Sequence, residues 1–185
     1  GAPPPCCHPW VASACDVNGH GWPDVFVATY RLAPDRLYIN NGDGTFREAS
    51  AQTGCIGVPT AQPGYYGHGM GSDWGDIDND GDIDLLVGNL GHPDQRGMYS
   101  NPSLVFRNTG TASAPAFENW YSMSPQGKLD FHGVAFREMN AGMCLGDFDH
   151  DGLLDLYHGQ ISYDLYTQGA TRPAHFYIQG PNRFI

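Results

Sequence analysis

The stretch Asp76-Ile77-Asp78-Asn79-Asp80-Gly81-Asp82-Ile83-Asp84 constrains this chain more than any other. Carboxylates stand at positions 1, 3, 5 and 9 of the loop, with glycine at position 6. Alternate residues of a tight loop can turn inward together, so Asp76, Asp78 and Asp80 are expected to aim their oxygens at one point. Asp82, at position 7, would add its backbone carbonyl. Gly81 permits a bend that a Cβ would resist. Carboxylates this close repel one another unless a cation lies among them, and calcium takes six to eight oxygen ligands of this kind.

The pattern recurs. Asp147-Phe148-Asp149-His150-Asp151-Gly152-Leu153-Leu154-Asp155 keeps every key position. Asp16-Val17-Asn18-Gly19-His20-Gly21-Trp22-Pro23-Asp24 keeps both ends and the glycine, with Asn18 at position 3 and His20 at position 5. Three loops in one register are a repeat. Imidazole is a poor calcium ligand, so the first site is expected to be the weakest of the three. Solvated Asp/Gly turns would not explain an acid at position 9 that recurs each time at the edge of an apolar run.

An EF-hand would need a Glu at position 12 and flanking helices. Position 12 is Val27, Val87 and His158. The residues after each loop, Val25-Phe26-Val27-Ala28, Leu85-Leu86-Val87-Gly88 and Leu156-Tyr157-His158-Gly159, read as short buried strands. These are calcium loops within β-structure.

A chain of 185 residues with 41% apolar residues suffices for one substantial domain, and 25 glycines and 14 prolines suit many short strands joined by turns. No apolar run reaches the length of a membrane span. A net charge of −11 argues against nucleic acid as a partner, which wants a basic face. Ten of the twenty acids occupy positions 1, 3, 5 and 9 of the loops. Cys6, Cys7, Cys15, Cys55 and Cys144 show no C-x-x-C spacing, and disulfides in an oxidising compartment are expected, with the odd cysteine free or paired elsewhere. Weak calcium loops also need extracellular calcium, so both lines point to an extracellular or cell-surface setting. The chain begins at Gly1 rather than Met, as a processed product or a fragment would.

Residues 1–8, rich in proline and cysteine, read as a tail or linker, and 9–185 as one domain or segment with repeats at about 9–50, 67–120 and 139–185. The expected strands of the first repeat are Trp10–Ala14, Asp24–Tyr30, Arg36–Asn40 and Thr45–Glu48, with a tight turn at Asn41-Gly42-Asp43-Gly44. The second repeat offers Gly69–Gly75, Ile83–Leu90, Leu104–Asn108 and Phe117–Trp120. The third offers Gly142–Gly146, Leu154–Ile161, His175–Ile178 and Arg183–Ile185. The inserts Gln52–Tyr66 and Tyr121–Arg137 read as surface loops.

The succession of a D-x-D-x-D-G-x-x-D loop, an apolar strand and a hairpin such as Arg36–Phe46 resembles the FG-GAP/VCBS repeats over nearly all of residues 9–185. The resemblance implies an all-β fold of β-propeller-type blades, here three four-stranded repeats, with calcium held between the first two strands of each. It implies as ligands Asp16, Asn18, the Trp22 carbonyl and Asp24; Asp76, Asp78, Asp80, the Asp82 carbonyl and Asp84; and Asp147, Asp149, Asp151, the Leu153 carbonyl and Asp155. His20 departs from the pattern. The family includes adhesion heads, cell-surface proteins and domains attached to polysaccharide-degrading enzymes.

No nucleophile elbow, H-E-x-x-H or phosphate loop occurs, so no enzyme is expected. His68, His92, His132 and His158 read as structural. Trp74, Tyr65, Tyr66, Trp120 and Tyr121 divide between inter-blade core and surfaces that could stack on sugars. The expected function is a non-catalytic, calcium-stabilised propeller segment for adhesion, assembly or structural interaction. Its partner would be another protein or other copies of itself at open blade edges. The alternative is a carbohydrate-binding module, or an accessory domain of a polysaccharide-active enzyme.

Overall fold

A computed structural model describes residues 8–57, 64–90, 103–111, 113–120, 122–123, 129–130, 140–160 and 175–177. In each repeat the acidic loop is the turn of an antiparallel hairpin. Strand β1 (His8–Cys15) runs into the first loop and β2 (Asp24–Tyr30) leaves it; β3 (Arg36–Asn40) and β4 (Phe46–Glu48) complete a sheet in the order β1-β2-β3-β4. A short helix α1 (Ser50–Thr53) follows and ends at Gly54, whose φ of 86° is the left-handed geometry glycine accepts most readily. The second sheet repeats the order with β5 (Gly69–Gly75), β6 (Asp84–Asn89), β7 (Leu104–Asn108) and β8 (Phe117–Asn119). A two-stranded ribbon, β9 (Ser122–Met123) with β10 (Leu129–Asp130), precedes the third sheet of β11 (Asn140–Gly146), β12 (Asp155–Gln160) and β13 (His175–Tyr177).

The expected strands are present in the described residues to within two residues at either end. The fourth strand expected at Arg183–Ile185, and the tail at 1–7, lie outside those residues. Sequence reading missed α1, which straddles the start of the first insert, and the β9–β10 ribbon, which falls in the second. Four residues of helix and two-residue strands are too short to leave a periodic signal.

Register carries the repeat into three dimensions. Position 9 of each loop pairs with the residue just before position 1: Cys15 with Asp24, Gly75 with Asp84 and Gly146 with Asp155. Each hairpin also shifts register near its far end, at Pro9/Val11, Gly69/Gly71 and Asn140/Gly142.

The sheets bury their apolar faces against one another. Phe26, Ala28, Leu37 and Ile39 of the first sheet meet Leu85, Val87, Leu104, Phe106 and Phe117 of the second, with Cys55 between them. Leu86 and Val105 turn the other way and join Ile77, Leu156, Met143, Leu145 and Trp120. Strand β6 is therefore buried on both faces, whereas β2 keeps Val25 and Val27 half-buried. Successive side chains of a strand point to opposite faces, so two equally continuous apolar runs differ in burial: the one in the middle sheet is covered on both faces and the one in the end sheet on one. Truncating Phe26 to alanine removes an anchor of the first interface, at a typical cost of about 3–5 kcal/mol.

Strand β5 lies beside β1 on one flank and β11 on the other. Ser13 and Ser72 hydroxyls meet at 2.8 Å, and the Leu145 N–H donates to Asp73 Oδ2 at 2.8 Å. A Cβ on Gly71 would stand 3.0 Å from the Gly142 Cα, so the approach of β5 to β11 requires glycine. Among the described residues the sheets do not close into a ring.

The described cysteines depart from the expected disulfides. Cys15, Cys55 and Cys144 are free thiols, while Cys6 and Cys7 lie outside the described residues. Cys55 is fully buried in the first interface, where a thiol serves as a small apolar group, and burial raises its pKa. Among the described residues no helix is long and apolar enough to cross a membrane.

Candidate metal centre

All three loops are built by one set of backbone hydrogen bonds. The position-1 carboxylate accepts the N–H groups of positions 5 and 6. Asp16 takes His20 at 3.1 Å and Gly21 at 2.7 Å; Asp76 takes Asp80 and Gly81, both at 3.0 Å; Asp147 takes Asp151 at 3.1 Å and Gly152 at 3.0 Å. Reaching these donors needs two left-handed residues. Position 6 is glycine each time, and position 4 is Gly19, Asn79 or His150, with φ of 66°, 61° and 62°.

Position 9 is fully buried in each loop. Asp24, Asp84 and Asp155 each accept the N–H of position 2, from Val17 at 3.1 Å, Ile77 at 2.8 Å and Phe148 at 2.9 Å. The other oxygens of Asp24 and Asp84 accept N–H groups from the end of the third strand, Asn40 and Asn108, both at 2.8 Å. That link to the third strand escaped the sequence reading. The N-x-G step shared by Asn40-Asn41-Gly42 and Asn108-Thr109-Gly110 was its signal. Each Asn side chain accepts the N–H of the glycine two residues on, at 2.9 and 3.1 Å.

The loops draw their donors together. Asp76, Asp78 and Asp84 lie within 4.8 Å of one another, as do Asp147, Asp149 and Asp155. In the first loop the corresponding group is Asp16, His20 and Asp24. Asp80 Oδ1 and Asp151 Oδ1 accept the N–H of position 7, from Asp82 at 3.0 Å and Leu153 at 2.9 Å; in the first loop the Trp22 nitrogen lies 3.4 Å from His20 Nδ1.

Charge sets the first two loops apart. Both oxygens of Asp78 are shielded from water and neither makes a well-formed hydrogen bond. Burial raises the Asp78 pKa, against the pull of Arg107. Burial pushes Asp84 up to about 6, with hydrogen bonds from Asn108 and Ile77 opposing it. An oxygen-only donor set with one buried acid, Asp84, suits a hard divalent cation. In the first loop, burial raises Asp16 but hydrogen bonds from Gly21 and His20 outweigh it and hold the carboxyl low. His20 Nδ1 lies 2.9 Å from Asp16 Oδ1, and Nε2 lies 2.7 Å from the Asn40 carbonyl. Both ring nitrogens face acceptors, which favours the protonated ring. The His20 pKa is raised, first by that carbonyl and next by Asp16. The acids of loops two and three could hold a metal ion, and in loop one an imidazole stands against the acids.

Residues 16–87 match the family model of the FG-GAP-like repeat. The match runs from the first loop into β6, and the third loop, outside it, has the same position-1 and position-2 hydrogen bonds. Two curated relatives share 26% identity with this chain over 135 residues: cartilage acidic protein 1 of Xenopus tropicalis and of Homo sapiens. The alignment covers 70% of this chain, and the chain spans only 16% of the length of either relative.

The remaining candidates divide between core and surface. His68 is buried, meets Tyr30 in a tilted ring contact at 4.9 Å and accepts the Arg31 N–H, and His158 is fully buried. His92 and His132 lie outside the described residues, as does Tyr121. Trp74 stands edge-on to Phe26 at 6.0 Å and Trp120 packs against the second core, so neither is a free stacking platform, whereas Tyr65 is exposed.

Proposed function

We propose that this chain is a calcium-stabilised β-propeller segment, acting outside the cell as a non-catalytic module for adhesion, assembly or structural interaction. Residues 9–185 form its repeat-bearing unit, and the three sheets are its blades. One observation carries the reading: the same nest of position-1, position-3 and position-9 oxygens closes the hairpins of the second and third sheets. Calcium would be held there by Asp76, Asp78, Asp80, the Asp82 carbonyl and Asp84, and by Asp147, Asp149, Asp151, the Leu153 carbonyl and Asp155. A weaker ion at Asp16, Asn18, Trp22 and Asp24 would have to contend with His20. The ion supplies charge to acids the fold has already crowded and locks the turn joining the two inner strands of a blade.

The extracellular setting rests on the need for abundant calcium and on the acidity shared with relatives named for cartilage and for being acidic; net charge here is −11. The free thiols remove disulfides among the described cysteines from that argument. An interaction role rests on the FG-GAP-like repeat and on the half-buried outer face of β2 in an end sheet. Such a face is where a further blade, another copy or a protein partner would pack. Glycan binding is the lesser reading, because Trp74 and Trp120 serve the core.

Calorimetric titration with calcium tests the metal reading. Two binding events are expected, with a third weak or missing, and magnesium should not substitute for calcium. A titration showing no calcium binding overturns it. Light scattering tests the partner reading: assembly at micromolar concentration supports open blade faces, and a folded monomer counts against them.

A further inference from the structure

Arg107, on β7, reaches the second loop from a strand distant in sequence. Its Nε contacts Asp78 Oδ2 and its Nη2 lies 3.2 Å from Asp80 Oδ2, so one guanidinium holds positions 3 and 5 together. Its counterpart in the first sheet is Ile39: each precedes the asparagine whose N–H caps the position-9 acid. Ile39 is buried in the interface between the first two sheets. At that register position, therefore, the first sheet spends an apolar side chain on packing and the second a cation on its loop. The first loop instead draws its partner from within, where His20 Nδ1 lies 2.9 Å from Asp16 Oδ1. Among the described residues no basic side chain pairs with Asp147, Asp149 or Asp151 of the third loop.

We propose that Arg107 is the resident counter-ion of the second loop and the residue that sets its calcium affinity, because calcium must displace the guanidinium from Asp78 and Asp80 to bind there. The proposal rests on the calcium reading above. A carboxylate oxygen facing a guanidinium is not free for a metal, and a guanidinium left beside a bound divalent cation repels it. In low calcium the same contact balances Asp78 and Asp80, so the loop keeps its shape before the ion arrives. The second loop is thus a reversible site, tuned below the affinity its four side-chain acids would otherwise give, and the third loop, without a basic partner among the described residues, is the reference. Arginine suits this role better than lysine, since its planar fork spans two carboxylates at once.

Nitrogen-correlated NMR of the full chain reads each loop separately, because the Gly81 and Gly152 N–H groups donate to the position-1 acids of the second and third loops. Calcium titration of R107Q should show the Gly81 midpoint falling about tenfold or more while the Gly152 midpoint holds. R107K, which keeps the charge and loses the fork, should fall between R107Q and the unchanged chain, and it carries the test if R107Q folds poorly. A Gly81 midpoint within twofold of the unchanged chain in both variants, or one shifted to weaker binding, overturns the proposal while leaving calcium binding intact. If neither glycine responds to calcium in the unchanged chain, the calcium reading itself fails.

Discussion

The first and second loops share a backbone and differ in how they are charged. In both, position 1 gathers two N–H groups, position 9 is buried and tied to the third strand, and position 6 is left-handed. In the first loop His20 bridges Asp16 and the Asn40 carbonyl. In the second, Asp80 takes that place and Arg107 comes in from β7. The comparison teaches that the turn depends on Asp at positions 1 and 9 and Gly at position 6, whereas the identity of the cation depends on positions 3 and 5 and on the neighbouring strand. The third loop carries the same four side-chain acids as the second, with no basic partner on Asp147, Asp149 or Asp151 among the described residues.

The largest test of this contrast is chelation. If the second and third loops hold calcium with free ion well above the dissociation constant, EDTA should lower the melting temperature by about 5–15 °C, with recovery on adding calcium but not magnesium. The first loop should contribute little to that shift. Superimposable melting curves with and without chelator would remove the distinction between the loops.

A second contrast lies one turn further along each sheet. The Thr29 N–H donates to Asp35 Oδ1 at 2.8 Å, and the equivalent Asn89 N–H donates to the Ser103 hydroxyl at 3.2 Å. Asp35 is buried, and desolvation pushes its pKa up to about 7, against its bonds from Thr29 and the nearby charge of Arg36. Because the folded value exceeds the unfolded one, the protonated form favours the fold. Its contribution is fully present below about pH 4 and is lost as pH rises through about 7. Melting of Asp35→Asn should therefore exceed that of the unchanged chain by a margin that grows from pH 5 to pH 8, on the order of a few kcal/mol at most. Ser103→Ala should show no such growth. Parallel pH profiles for Asp35→Asn and the unchanged chain would contradict the assignment.

The position-9 acids should be costly to neutralise, and unequally so. Asp84→Asn and Asp24→Asn each weaken the reception of two buried N–H groups, at about 1–3 kcal/mol in chelator. In calcium the Asp84→Asn penalty should grow, because an ion is lost as well, whereas the Asp24→Asn penalty should stay close to its chelator value. Urea titrations with and without calcium measure this. Equal penalties in both conditions for Asp84→Asn would argue that the second loop holds no ion.

The smallest effect belongs to His20→Asp, which restores an oxygen at position 5 of the first loop. First-loop calcium affinity should rise about tenfold, about 1.4 kcal/mol. Calorimetry showing unchanged stoichiometry and affinities would mean that position 5 is not what weakens that loop.

The residues by themselves determined the loops and most of the strands, because both are local. Asp and Gly at fixed offsets specify a turn whose hydrogen bonds span at most five residues within positions 1 to 6, and apolar runs such as Leu85-Leu86-Val87 specify strands directly after it. What only the tertiary structure decided is non-local. Nothing in the neighbourhood of Arg107 announces that it meets Asp80, 27 positions earlier. The alternation along β3 and β7 does not say that Ile39 faces an interface while Arg107 faces a loop, since which face is covered depends on which sheet is in the middle. Cys55, readable as a disulfide half, proved to be an apolar filler between sheets, and Gly71 a point where two inner strands nearly touch. Local spacing carries the shape of each site, and packing between sheets determines which charge stands beside it.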